Sequence, residues 1–151
     1  RTHDDRHAPR VHRLVAAVGE QMAPSGVLQG SGGGDGGLFA GITARYLALV
    51  ATALPGASAA DAAARDTART IVLASAKSAW DYRQTVDGLP LFGPSWDRDA
   101  ELPTEGPGAG AQARFVDGAV SGSGVAERDL SVQLSGWMLM EAAHSVTGRE
   151  P

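Results

Sequence analysis

The chain has 151 residues, 43% of them hydrophobic and 20% charged, and a net charge of −4. That suits a single globular domain with one core, and the acidic balance with scattered arginines excludes the basic stripe that a nucleic-acid partner needs. There is no cysteine, so no disulfide framework or thiolate metal site is available, and no apolar run reads as long enough to span a membrane.

The chain opens on the polar run Arg1-Thr2-His3-Asp4-Asp5-Arg6, without methionine or an apolar leader core. The expectation is a fragment or a processed product. Residues 1–8 read as a polar lead-in, 9–146 as the folded part and 147–151 as a tail.

Periodicity predicts four helices. The first runs from about Pro9 to Ala23, with Pro9 at a first helical position and an apolar stripe of Val11, Leu14, Val15, Val18 and Met22. The second runs from about Leu38 to Leu54, with Leu38, Phe39, Ile42, Tyr46, Leu49 and Val50 along one face. The third, from about Ala60 to Arg83, is alanine-rich, with Asp61 near its start. Ala64, Ala68, Ile71, Val72, Ser75 and Ala79 give it a small-residue face that permits close helix approach. The fourth runs from about Asp129, a natural N-cap, to Val146, with a stripe of Leu130, Leu134, Trp137 and Met138. The segment Thr85 to Phe92 reads as loop with some extended backbone around Asp87-Gly88. The fold class is therefore all-α: two α/α hairpins.

The connections alternate in length. Gly26 to Gly37 and Gln84 to Arg128 are long, whereas Pro55 to Ala59 is short. In an up-down array the first and third connections share an end, so both long loops crowd one face. Long loops in a compact domain are commonly functional. Within them, Glu105 to Ala111 and Gly118 to Gly124 read as mobile, low-complexity linkers.

Four of the eight aromatic residues fall between Trp80 and Trp96, in a loop that also holds Asp, Arg and Gln. Flat aromatic faces beside such polar groups are what a sugar-binding cleft needs. The same residues could equally plug the loop onto its own helices. The glycine-rich run Gly30 to Gly37 lacks the Lys-Ser/Thr pair and the preceding strand of a phosphate loop; Asp35 sits there either near a helix cap or at a cleft rim. Asp4 and Asp5 lie in a polar lead-in with no apolar wall to tune a pKa. His3, His7 and His12 have no fixed carboxylate partner and no zinc-binding spacing, and His144 sits at a helix end. Ser131, Gln133 and Ser135 stand at the start of the fourth helix on the loop-rich face. Gln133 offers donors and an acceptor to a sugar diol. No Gly-x-Ser-x-Gly elbow occurs.

Four ordered blocks resemble glycoside hydrolase family 76, the endo-acting α-1,6-mannanases and their fungal wall transglycosidase relatives. They are Gly34-Asp35-Gly36-Gly37-Leu38-Phe39-Ala40-Gly41-Ile42 with Arg45-Tyr46-Leu47; Ser78-Ala79-Trp80 with Arg83; Gly88-Leu89-Pro90-Leu91-Phe92-Gly93-Pro94; and Arg128 to Leu139. The resemblance spans about Pro9 to Val146. It implies a toroid of six α/α hairpins, of which this chain would be the C-terminal third. Its second and fourth helices would then be inner, and its first and third outer.

The family's catalytic pair is two neighbouring aspartates in a Trp-Asp-Asp context, and no such motif occurs here. No catalytic residue is carried over. For the intact enzyme the resemblance implies hydrolysis of α-1,6-mannosidic bonds with retention, by a nucleophile and an acid/base carboxyl about 5 Å apart. This chain would supply cleft walls: Asp35, Phe39, Trp80, Arg83, Trp96 and Gln133 for sugar contacts, with Phe39 and Trp96 as stacking faces. The resemblance implies α-mannan or mannooligosaccharide and the rest of the toroid as partners, no metal or organic cofactor, and a secreted or cell-surface location. Two departures are Ala40, where many relatives have lysine, and Gln29 to Gly34, where many have cysteines. The alternatives are a non-catalytic carbohydrate-binding helical domain and a helical protein-interaction domain.

Overall fold

The computed structural model describes residues 5–30, 32–102, 114–116, 119–121 and 125–148. Four helices carry it: α1 (Ala8–Gln21), α2 (Phe39–Ala53), α3 (Ala59–Asp81) and α4 (Leu130–Thr147). The all-α class and the four helices follow the periodicity, each boundary falling within two residues of expectation.

Local chemistry explains most of the starts. Pro9 occupies the first turn of α1. Ser58 and Asp61 form a reciprocal capping box on α3: the Asp61 amide donates to Ser58 Oγ, and the Ser58 amide donates to Asp61 Oδ2. Asp129 is the N-cap of α4 by position, yet its side chain does not cap that helix. Its Oδ2 accepts instead from the Gly34 amide at 2.8 Å. Helix α2 has no side-chain cap of its own. Its first-turn Gly41 amide donates to Ser135 Oγ of α4 at 2.7 Å, so one helix satisfies an orphan donor of the next.

The helices stack as two antiparallel pairs. Packing joins α1 to α3, α2 to both α3 and α4, and α3 to α4. Near the start of α1, His12 Nε2 lies 2.9 Å from Asp61 Oδ1 near the start of α3. Just past α1, the Leu28 amide donates to Ser75 Oγ late in α3. Helices α1 and α3 therefore run parallel, and the Gly41–Ser135 bond pairs α2 with α4 in the same sense. His12 thus has the fixed carboxylate partner that its sequence neighbourhood does not show, because Asp61 reaches it across 49 positions through helix packing.

The long connections share one end, and the short turn from Leu54 to Ser58 lies at the other, where the Arg65 guanidinium donates to the Leu54 and Gly56 carbonyls. The Thr85–Phe92 segment is more ordered than expected. Gln84–Val86 (β1) and Leu89–Leu91 (β2) pair antiparallel about a two-residue turn. Asp87 and Gly88 take positive φ of 51° and 79°, the handedness that matches strand twist in a tight hairpin. Arg114–Val116 (β3) pairs with Ala119–Ser121 (β4). Part of the Gly118 to Gly124 stretch is therefore strand, while Glu105 to Ala111 lies outside the described residues.

The core draws on Val15, Leu28, Ala44, Ala68, Val72 and Leu139, with Phe92 and Trp96 brought in from the long loop. The small-residue face expected of α3 is buried throughout. Two expected faces are inverted. The large stripe of α2 is exposed at Phe39, Ile42, Tyr46 and Leu49, while Ala40, Gly41, Ala44, Leu47 and Ala48 are buried. In α4, Leu130, Leu134 and Trp137 are exposed, while Val132, Ser135, Gly136, Leu139, Ala142 and Val146 are buried. Leu14 of the α1 stripe is also exposed. The physical reason is close approach. A Cβ on Gly41 would sit 2.6 Å from Ser135 Cα, so α2 meets α4 through its small face and turns its large side chains away.

The sequence reading finds no membrane-length apolar run, yet Gly34–Ala53 reaches the length and mean hydropathy of one, at 1.3. Here it serves as the helix between α3 and α4.

Candidate functional site

The loop-rich end is built from the residues that follow α1, the 3-10 helix Gly34–Leu38 ahead of α2, the β1–β2 hairpin with the loop after it, and the first turn of α4. Polar side chains hold these pieces together. Gln133, in the first turn of α4, clamps the aromatic loop. Its Nε2 donates to the Phe92 and Glu127 carbonyls at 2.8 and 2.9 Å, and its Oε1 accepts from the Phe92 amide at 3.0 Å. Ser78 Oγ of α3 donates to the Trp96 carbonyl at 2.7 Å. The Ala100 amide donates to the Tyr82 carbonyl. Buried Glu127 accepts from the Glu101 amide at 3.1 Å.

Packing fixes the same loop. The Phe92 ring crosses α4 at Gly136, where a Cβ would lie 2.3 Å from the ring. The loop is therefore a rigid lid on the ends of α3 and α4, and its position depends on a missing side chain as much as on hydrogen bonds.

The six expected sugar-contact residues divide. Trp96 is 3% exposed and belongs to the core. It offers no stacking face, because its ring fills the space between the loop and the helices. The alternative that the aromatics plug the loop applies to Trp96 and Phe92. Gln133 is also reassigned: both of its amide donors are committed to backbone carbonyls, so it is a clamp rather than a free diol-binding group.

The other four stand at the surface. Trp80, at the end of α3, is half-exposed, and the Arg83 guanidinium lies over its ring at 3.8 Å from the centroid. Arg83 Nη1 also donates to the Trp80 carbonyl. This geometry stiffens Arg83 and covers part of one indole face by a cation–π contact. Phe39, the first residue of α2, is 55% exposed. Asp35 is exposed in the first turn of the 3-10 helix rather than capping α2, whose N-cap is Leu38.

A polar cleft of about 200 Å³ opens at this end, lined by Pro94, Ser95, Arg98, Asp99, Glu101 and Glu127. None of these belongs to the six. The sequence signal for it is the charged run Asp97-Arg98-Asp99-Ala100-Glu101 directly after Trp96. Against Gly37 lies the Ser131 hydroxyl, the one buried side-chain polar atom without a hydrogen-bond partner among the described residues. Among those residues no group of three or more His, Asp or Glu side chains could hold a metal ion.

Away from this end, the Asp61 carboxyl stands apart by its surroundings. The Ser58 hydroxyl, then His12 and the Ser58 amide, hold it below its ordinary value. That serves helix capping.

No protein-family model matches the chain, and no curated protein matches it. Solved structures do. The GH76A α-1,6-mannanase of Salegentibacter sp. HEL1_6 matches with a TM-score of 0.66 and 27% identity, over 96% of this chain and 35% of that one. An inactive variant of that enzyme, with two consecutive aspartates replaced by alanine and α-1,6-mannotetrose bound, matches with a TM-score of 0.65 and 26% identity. A variant with asparagines at the same two positions, bound to α-1,6-mannotriose, gives 0.63 and 28%. The chain thus has the helical fold of an arc of a family 76 toroid, and it spans about a third of the length of the structures it matches.

Proposed function

We propose that the chain forms part of the wall of an α-mannan-degrading glycoside hydrolase of the family 76 type, corresponding to its C-terminal third. The observation that carries this is the shared fold over 96% of the chain with an α-1,6-mannanase at 27% identity. The four ordered sequence blocks support the same conclusion. All four form or brace the loop-rich end: the Gly34–Leu38 turn, the Trp80–Arg83 corner, the β2 strand with Phe92, and the Gln133 clamp.

In this proposal the catalytic carboxyl pair belongs to another part of the toroid. One carboxylate attacks the anomeric carbon while the other protonates the leaving oxygen; the glycosyl-enzyme bond is then hydrolysed with net retention. The present residues bind and orient the glycan beside that pair. Trp80 with Arg83, and Phe39, supply an aromatic and hydroxyl-binding rim, with Asp35 as an acceptor. Glycan hydroxyls would meet Arg98, Asp99 and Glu101 in the adjoining polar cleft. A secreted or cell-surface location belongs to the same proposal.

Titration of the chain with α-1,6-mannotetraose, followed by calorimetry, tests the proposal. Weak saturable binding that Trp80→Ala removes is expected, without hydrolysis of α-1,6-mannan. Absence of binding at every accessible ligand concentration would remove the sugar reading. Cleavage of mannan by the purified chain would overturn the placing of the carboxyl pair elsewhere.

A second reading, a helical interaction domain, is favoured by one observation: the large apolar stripes of α2 and α4 face outward.

A further inference from the structure

The loop that carries the polar cleft is anchored along its length. A Cβ on Gly30 would overlap the Pro94 carbonyl, and one on Gly93 would lie 3.2 Å from Ala100 Cα. Ser78 Oγ holds the Trp96 carbonyl, and the Tyr82 carbonyl holds the Ala100 amide. Trp96 and Ala100 are both buried. Between these anchors Ser95, Arg98, Asp99 and Glu101 line a cleft of about 200 Å³.

Glu127, in the 3-10 turn before α4, completes the lining and is only 7% exposed. Its Oε1 accepts from the Glu101 amide, and its carbonyl accepts from Gln133 Nε2. Among the described residues nothing donates to Oε2, and that oxygen is not sealed from solvent. A carboxyl so enclosed is oriented before any ligand arrives, with one oxygen kept free at the cleft.

The charged groups of the cleft do not satisfy one another. Among the described residues Arg98 meets only Asp97, at 3.5 Å, and no ion pair joins it to Asp99, Glu101 or Glu127. Among the same residues no three carboxyls converge to hold a metal ion. The cleft therefore presents carboxylate acceptors and a guanidinium fork side by side. A sugar diol suits both, because each hydroxyl can donate to a carboxylate and accept from the guanidinium. An anionic group does not, because three carboxylates outweigh the one arginine, and like charges at a contact reject the wrong ligand. The volume is below the ~300–1,000 Å³ of clefts that take drug-sized molecules, so it suits one sugar ring rather than a chain.

We propose that this cleft is a subsite for one uncharged hexose unit, and that its carboxylates turn away phosphorylated and acidic sugars. The inference rests on the glycan-binding reading of the loop-rich end and adds the substrate class, a neutral rather than a phosphorylated mannan.

Backbone nitrogen–proton spectra of the chain in low salt, recorded with methyl α-mannoside and with mannose 6-phosphate, give the test. Saturable shifts at the Ser95, Arg98, Asp99 and Glu101 amides are expected with methyl α-mannoside. Mannose 6-phosphate is expected to bind there at least about tenfold more weakly. Asp99→Asn combined with Glu101→Gln removes two carboxylates from exposed side chains and should narrow that gap to about threefold or less. The Glu101 amide that Glu127 holds is untouched by the change. Equal affinity for the two sugars in the wild-type chain, or a gap that the double variant leaves unchanged, would overturn the charge selection. Silent cleft amides during a mannotetraose titration that moves the Trp80 indole would overturn the subsite and leave the glycan-binding reading standing. No response at either place would overturn that reading and the subsite with it.

Discussion

Helices α1 and α3, on the one hand, and α2 and α4, on the other, bury different kinds of surface. In α3 the expected stripe is the buried one, and α1 buries Val15 from its own stripe. In α2 and α4 the expected large stripe faces outward; the buried face of α2 is glycine and alanine with Leu47, and that of α4 mixes Ser135, Gly136 and Ala142 with Val132, Leu139 and Val146. Periodicity reports that a face is apolar; it does not report which neighbour covers it. Helix α2 packs against α3 and α4, and α4 against α2 and α3, yet each leaves its large apolar stripe uncovered.

That contrast can be broken by mutation. Leu139 is fully buried on the small-residue side of α4. Leu139→Ala should cost ~2–5 kcal/mol of stability in urea unfolding, the range for emptying a packed leucine site; a cost below about 0.5 kcal/mol would mean that this face is loose. Gly41→Val drives a side chain into the Ser135 backbone and should cost ~1–3 kcal/mol as overpacking. A neutral result there would show that α2 and α4 can separate without loss.

The α1–α3 pair carries a fastening between side chains, the Ser58–Asp61–His12 chain of hydrogen bonds, whereas α2 is joined to α4 by the Gly41 amide donating to Ser135 Oγ. Asp61 has a lowered pKa in the folded state, chiefly through the Ser58 hydroxyl. Its stabilising contribution is therefore complete above the ordinary carboxyl value of 3.8 and is lost as pH falls through the lower folded value. Asp61→Asn should flatten the acid limb of a plot of melting temperature against pH in that window. An unchanged acid limb would show that the fastening is idle. The smallest effect belongs to the exposed stripe. Tyr46→Ala, at a side chain 66% exposed, should change stability by less than ~0.5 kcal/mol. A loss of several times that would mean that the stripe is packed within the single chain.

Helix number, order and boundaries are legible because 3.6-residue periodicity and the Pro9, Asp61 and Pro55-Gly56 signals are local. The crowding of both long loops at one end followed from loop lengths alone. The β1–β2 hairpin was underestimated, although Asp87-Gly88 is a strong turn pair, since three-residue strands carry little alternation. Asp129 looked like a cap and instead braces Gly34, a partner 95 positions away. The surroundings of Trp96 and Gln133 are not legible for a related reason. Residue type marks them as sugar-binding chemistry, but only the fold shows that the indole is enclosed and that the amide is spent on Phe92 and Glu127. The His12–Asp61 contact was invisible because the two residues meet only after α1 and α3 pack.

The three tryptophans sample the three environments that matter: Trp80 at the loop-rich rim, Trp96 in the core and Trp137 on the outward stripe of α4. The most direct measurement is a nitrogen–proton spectrum of their indole groups, recorded on the chain during titration with α-1,6-mannotetraose. The account predicts a progressive shift of the Trp80 signal while Trp96 and Trp137 stay in place. A Trp80 signal unmoved at saturating glycan, or a response confined to Trp137, would contradict it.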